Sequence, residues 1–564
     1  MIAQRPASRR RTPRSIPDCA LFLFLLLLSG SLCMRAATQR SRTSHAPATH
    51  HHGTSSQSST RRSTSGRSTH SSPRGGGHDI GSGHSRSTIH SYAAAPARRG
   101  KTKSHGRAVV HEAINPTARL DTISNLSYSL AHGSSALNHT SALESFFDAL
   151  AAHQAEPSGP TLRVLQFGDS HTAADMFTGE ARRVFQGQFG NGGIGFSYPG
   201  HPFAGYRIFG SQRGQSSGWT TLGTHFVDLG DAELGMGGIA INTFSPGQSI
   251  SLDTPCASFE LEFLKQPGGG ALQVTDNGAS VGEVETAGEV PEGGAFTYDC
   301  PASTGYEDHH FVVTTENHAP VRLLGTTTLQ PGVTWEALGI NGAQAPLVLE
   351  WNQPIFSSYL SKTGATMVVL AYGTNEAAAA HWTTESYSET FTQIVEKIHT
   401  ALPNAAILVL GPADRSVAAR RRGFAPFTGT ERIIEAQREV CRTHGCAFWD
   451  TQKRMGGFGS MQRWVYAGWA QHDHTHMNAE GYRVLADALM ADLLSGYDSY
   501  RAAHGLAVSP SLRGTTARPA PATNEPATGT PATNMPAANM PAANAPALPP
   551  TPPTTLPQNQ IQPH

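Results

Sequence analysis

Leu162-Arg163-Val164-Leu165-Gln166-Phe167-Gly168-Asp169-Ser170-His171 is the stretch on which the fold turns. Its first six residues form a short, mostly apolar run that stops at a glycine, the pattern of a strand buried within a sheet. Phe177, Ala181, Val184 and Phe185 then recur at helical spacing, so a strand passes into an amphipathic helix through a turn at Gly168–His171. The same pattern repeats downstream. Met367–Tyr372 (MVVLAY) reads as a second buried strand, followed by a helix with Tyr387, Phe391, Ile394, Val395 and Ile398 on one face. Ala405–Leu410 (AAILVL) is a third strand, and Ile433, Ala436 and Val440 mark its helix. Ala447–Trp449 is a short fourth strand, and a closing helix presents Tyr482, Leu485, Ala486, Leu489 and Leu493. Buried strands alternating with amphipathic helices predict an α/β fold, a parallel sheet layered between helices.

One region breaks that rhythm. From about Gly205 to Pro331 no helical period holds. Phe259, Leu261 and Phe263 alternate with Glu260 and Glu262, and Phe311–Val313 and Val321–Leu323 are further strand candidates between Gly/Pro turns. This predicts an all-β, sandwich-like module inserted into the α/β domain.

The flanks differ in kind. Ala20–Leu28 (ALFLFLLLL) follows Arg9, Arg10, Arg11 and Arg14, the signature of a secretion signal or an uncleaved signal anchor. The run is short of the ~20 apolar residues of a comfortable membrane span. Residues 40 to about 110 are Ser, Thr, His, Arg and Gly, and the segment after about Ser509 is rich in Pro, Ala, Thr and Asn. Neither can bury enough surface to offset its chain entropy. The expected organisation is 1–39 signal peptide or anchor, 40–115 disordered linker, 116–204 first part of the α/β domain, 205–331 β module, 332–505 second part, and 506–564 disordered tail. With 42 Lys and Arg against 42 Asp and Glu, no charge imbalance draws the chain to nucleic acid, and no nucleic-acid partner is expected. The leader predicts an exported, periplasmic, envelope or extracellular protein, with a membrane tether as one outcome. In such a setting Cys256 with Cys300 and Cys441 with Cys446 are candidate disulfides, with buried free thiols as the alternative.

Four short stretches carry chemistry. Gly168-Asp169-Ser170 sits between strand and helix, where open α/β sheets place their sites and where a helix N-terminus favours an anion. Gly339-Ile340-Asn341-Gly342 ends a segment in which Val333, Trp335 and Ala337 alternate. Tyr372-Gly373-Thr374-Asn375-Glu376 again follows a buried strand, so Asn375 can present its amide to the same crevice. Asp473-His474-Thr475-His476 precedes the closing helix, and an Asp three residues before a His can accept from its Nδ1–H, leaving Nε2 as a base. Each stretch also has a bland reading, as a helix cap, turn glycine or surface loop.

Their order resembles the sequence blocks of SGNH/GDSL hydrolases, over roughly residues 160–200 and 333–495. The resemblance implies a flavodoxin-like, three-layer SGNH fold and a serine esterase without metal or cofactor. It implies Ser170 as nucleophile, Asp473 and His476 as its partners, and the N–H groups of Ser170 and Gly342 with the Asn375 amide as the oxyanion hole. His171 stands where the family usually has Leu, and Glu376 where it usually has Asp. The Gly-Asp-Ser-His form with a β module after it resembles the branch acting on acetylated cell-wall polysaccharides. The implied substrate is an acylated, chiefly O-acetylated, polysaccharide or a small ester.

Three other readings compete. An O-acetyltransferase would use the same residues. A wall-glycan-binding protein would have lost turnover. A metal hydrolase would use His472, His474 and His476 with Asp473, but it leaves Gly-Asp-Ser unexplained. Cys441-x-x-His444-x-Cys446 lacks a partner pair at zinc spacing. Asn191-Gly192-Gly193 competes with Gly342 as an oxyanion turn, and Trp464 and Trp469 either line the pocket or pack.

Overall fold

The computed structural model describes residues 115–223, 230–301, 308–419 and 423–507. The leader, the Ser/His/Arg-rich segment and the Pro-rich tail lie outside these residues, save for Asn115, Leu506 and Ala507.

Five parallel strands form the central sheet: β1 (Leu162–Gly168), β2 (Val333–Gly339), β3 (Met367–Ala371), β4 (Ala406–Leu410) and β5 (Ala447–Trp449). Their order is β2-β1-β3-β4-β5, the doubly wound flavodoxin order. A two-residue strand, Leu137–Asn138, pairs antiparallel with β5 and covers that edge, so the sheet is not purely parallel.

Because side chains alternate across a strand, each apolar run feeds two cores. Val164, Val369 and Leu408 face one way, against Phe146, Phe147 and Leu150 of helix Glu144–Ala155, against α1 (Met176–Phe189) and against α4 (Ala479–Ala503). Leu165, Phe167, Val368, Leu370 and Ile407 face the other way, against α2 (Thr384–Ala401) and α3 (Gly429–His444). This three-layer α/β arrangement is the SGNH hydrolase fold expected from the sequence.

Antiparallel strands occupy the chain between β1 and β2. One sheet of five strands has the order Ala279–Glu285, Ala271–Asp276, Asp308–Thr315, Ser249–Pro255, Gln212–Gln215. A second has the order Glu292–Asp299, Ser258–Lys265, Val321–Leu329, Ala240–Thr243, Thr220–Leu222, and Gly195–Ser197 also pairs with Val321–Leu329. The sheets share an apolar interior in which the Phe259 and Phe311 rings stack at 4.1 Å. That interior is continuous with the core beneath α2 and α3. Cys256 and Cys300 are joined in a disulfide, as are Cys441 and Cys446.

The alternation of Val333, Trp335 and Ala337 suggested one wet face on β2. Instead all seven residues of β2 are buried. Glu336 lies under the antiparallel region, where its carboxylate accepts from Arg163 at 2.7 and 2.8 Å and from the Phe196 N–H at 2.7 Å. A polar residue reads as solvent-facing only until a counter-charge is found for it, and Arg163 on the neighbouring strand is that counter-charge. Glu262 departs from its alternation in the same way and is buried. Burial, reinforced by the nearby charge of Glu260, pushes its carboxyl up to about 8.

Candidate active site

In the order β2-β1-β3, the chain winds outward in opposite directions from β1 and β3. Their carboxyl ends therefore bound a crevice. Gly168-Asp169-Ser170 leaves β1 there and Gly373-Thr374-Asn375 leaves β3. A side chain on Gly168 would put its Cβ 2.3 Å from Thr172 Oγ1 and 2.8 Å from the Ala371 carbonyl, so only glycine lets the turn close against β3. Asp169 caps the short helix Ser170–Ala173, its Oδ1 accepting from the His171 N–H at 2.9 Å.

The loop before α4 brings in the third element. Asp473 Oδ1 accepts from the backbone N–H groups of Thr475 and His476 at 2.9 and 3.0 Å. Asp473 Oδ2 lies 2.7 Å from His476 Nδ1, and His476 Nε2 lies 2.8 Å from Ser170 Oγ. His474 takes a left-handed backbone (φ 56°) that closes this turn. Its carbonyl accepts from the Ser416 N–H at 3.0 Å, and its ring stacks on Phe424.

Electrostatics follow from these contacts. Burial pushes the Asp473 carboxyl up, but hydrogen bonds from the His476 ring and from the His476 and Thr475 N–H groups outweigh it and hold the group down at about 2. Burial pushes His476 down, yet the hydrogen bond and charge of Asp473 win and its pKa is raised. A neutral imidazole held in one tautomer by a carboxylate, with Nε2 on a hydroxyl, can take that proton as a nucleophile attacks.

Gly342 has φ 77° in the turn after β2, a turn anchored where the Ile340 N–H donates to the Gly168 carbonyl at 3.0 Å. Asn375 Nδ2 donates to the Ala343 carbonyl at 2.9 Å, and its second N–H is loosely held, 3.4 Å from Asp169 Oδ2. Ser170, Gly342, Asn375, Asp473 and His476 thus belong to loops that meet at the carboxyl-terminal end of the sheet.

Two neighbours were singled out by sequence only as departures from the family pattern, without a role in the site. Glu376 is buried, and its Oε1 accepts from the Ala345 N–H at 2.7 Å and the Tyr387 hydroxyl at 3.3 Å, tying the Gly342 turn to the Asn375 loop. Burial pushes this carboxyl up to about 7 and that of Asp169 up to about 6. His171 stacks on His476 and meets the Tyr482 hydroxyl through Nδ1 at 2.9 Å. The sequence marked His171 by its place after Ser170, where the family usually has Leu.

Other readings resolve differently. Asn191–Gly193 lies against Val333, at the opposite end of β2 from the site. Trp464 and Trp469 are buried and pack edge to face. His474 stacks on Phe424 while His476 faces Ser170 and Asp473. Among the described residues, the group close enough to share an ion is Cys256, Cys300 and His309, and its two sulfurs are bonded to each other.

The fold is that of an SGNH-type carboxylic ester hydrolase. Residues 303–484 match the GDSL-like Lipase/Acylhydrolase family. Gly342, Asn375, Asp473 and His476 fall inside the matched stretch, and Ser170 precedes it. A solved structure of a peptidoglycan O-acetylesterase is similar at 29% identity and TM-score 0.54, covering 65% of this chain and 99% of that one. Family two carbohydrate esterases from Clostridium thermocellum, in complex with cellohexaose (12% identity, 50% of this chain, 99% of that one), and from Cellvibrio japonicus (10%, 51%, 98%) also match. Their TM-scores are both 0.22. No curated protein sequence matches the chain significantly.

Proposed function

We propose that this chain is an exported serine esterase that removes O-acyl groups, chiefly acetyl, from carbohydrate of the cell envelope. One observation carries the mechanism: Ser170 Oγ lies 2.8 Å from His476 Nε2, whose other nitrogen is held by Asp473. Ser170 Oγ attacks the ester carbonyl carbon as its proton passes to His476 Nε2. The sugar oxygen leaves with that proton, and the acyl group stays on Ser170. Water then adds to the acyl carbon, giving its proton to His476, and Ser170 recovers its hydroxyl as the free acid departs. The N–H groups of Ser170 and Gly342 and the looser N–H of Asn375 receive the negative oxygen, each such donor being worth ~3 kcal/mol in the transition state.

The acetyl-ester substrate is supported by the likeness to the peptidoglycan O-acetylesterase, and export by the basic-then-apolar leader. The test is acetate release from a panel of acetylated polysaccharides, peptidoglycan included, with Ser170→Ala as control. Release by the parent and none by the variant is expected. Acetyl appearing on an added sugar acceptor instead of as free acetate would make the protein a transferase.

A further inference from the structure

Arg415 belongs to none of the four stretches with which the site was read. It lies just beyond β4, beside Asp414, whose buried carboxylate accepts from the N–H groups of Gly459 and Met461 at 3.2 and 2.7 Å. The Phe427 N–H donates to the Arg415 carbonyl at 3.0 Å, and the next residue, Ser416, donates to the His474 carbonyl at the same distance. The backbone of Arg415 is thereby fixed to the loop that carries Asp473 and His476. Its side chain reaches the opposite loop, where Nη1 donates to the Thr374 carbonyl at 3.0 Å, one residue before Asn375. The guanidinium lies 5.0 Å from the centre of the Phe427 ring, a contact that holds its plane in place.

What this cation lacks is a carboxylate in direct contact. Arg163, Arg182 and Arg454 are buried against Glu336, Asp175 and Asp492. Arg415 is half-buried, forms no carboxylate pair among the described residues, and its Nε is buried with no acceptor. The carboxylate whose charge it feels, Asp473, is committed to His476. Holding a guanidinium partly out of water with no carboxylate in contact is unfavourable. In this place it also opposes the imidazolium that acyl transfer forms on His476. Both penalties are relieved when an anion docks beside it, and a guanidinium fork matches a carboxylate in shape.

We propose that Arg415, held between the Thr374 carbonyl and the Phe427 ring, is the anion subsite of this crevice and binds the carboxylate of an acidic sugar. Its place between the Asn375 loop and the His476 loop rests on the esterase reading only for which ester the bound sugar presents to Ser170. The binding of a carboxylate does not depend on turnover.

The test uses the full chain carrying Ser170→Ala, with N-acetylmuramic acid and N-acetylglucosamine as probes. They differ by a lactyl ether that bears a carboxylate. Affinities read by ligand-observed NMR are expected to favour the acid by about tenfold, the scale of one charge-assisted hydrogen bond. Adding Arg415→Met removes that preference, and Arg415→Lys keeps part of it. Equal affinity for both sugars, binding of neither, or a preference that survives Arg415→Met would overturn the proposal. If Arg415→Met does not fold, the Lys variant decides: a preference as large as the parent's overturns it. In the active chain, Arg415→Lys should lower kcat/KM on an acetylated acidic sugar several-fold more than on an acetylated neutral one. A chain that hydrolyses no ester yet keeps its Arg415-dependent preference would sink the esterase reading and leave this one standing.

Discussion

The imidazole of His171 stacks on that of His476 at 5.1 Å between ring centres, so the residue after Ser170 forms a wall for the base that serves it. Its Nδ1 is tied to the Tyr482 hydroxyl at the start of α4. Burial first, and the charge of His476 second, push His171 down to about 3. An imidazolium there would repel the one that forms during acyl transfer, so neutrality is what the position requires. In a pH titration followed by imidazole NMR shifts, His171 is expected not to protonate above about pH 4, while His476 does. A His171 midpoint near the ordinary histidine value would contradict the packing described.

The pH–rate profile carries a second prediction. His476 acts as a base only when neutral, and its pKa is raised in the folded chain. Activity therefore rises with pH through a limb lying above the ordinary histidine value of about 6.5. Asp473 is held near 2 and stays ionised throughout that range. Asp473→Asn removes the hydrogen bond and charge that raise His476, so the limb moves to lower pH. The same change loses the tautomer, and kcat falls by up to ~10⁴-fold. A limb that stays in place in the variant would mean that another group sets it.

Removing the Asn375 amide separates binding from turnover. If its looser N–H serves the oxyanion, Asn375→Ala lowers kcat by ~10²–10³-fold with little change in KM. A rise in KM alone, with kcat intact, would show instead that the amide holds substrate in the ground state.

The Arg163–Glu336 pair makes a prediction about stability. Both side chains are buried, and Glu336 also receives the Phe196 N–H. Glu336→Ala leaves a guanidinium in the interior without its partner and is expected to cost ~3–5 kcal/mol in urea unfolding. A loss below about 1 kcal/mol would mean that water reaches Arg163 freely.

The two disulfides differ in the chain they close, 44 residues for Cys256–Cys300 and 5 for Cys441–Cys446. Loop-closure entropy then assigns about 4 kcal/mol to the first and about 2 kcal/mol to the second. Replacing each pair by alanine and comparing thermal midpoints under oxidising conditions checks the ranking.

The central strands were legible because a strand buried on both faces is apolar at nearly every position, as Val164–Phe167, Met367–Leu370 and Ile407–Leu410 are. The site's loops were legible because each directly follows or precedes such an element. What escaped was encoded across distance. Leu137–Asn138 has two residues and no period to read. The burial of Glu336 depends on Arg163, 173 residues earlier. His171 finds Tyr482 across 311 residues, and Arg415 reaches Thr374 across 41. The two cysteine pairs were named from the sequence, but whether each was bonded or a pair of free thiols depended on how close the fold brings them.

The placement of β1 sets a problem of timing. It is made before both of its neighbours, and the whole antiparallel region must be synthesised before β2 and then β3 arrive to flank it. Until then a sticky segment waits with neither edge covered, which is the situation that favours clumping and calls for a chaperone. Refolding from denaturant is thus expected to be slow and dependent on protein concentration, even where the finished molecule is robust.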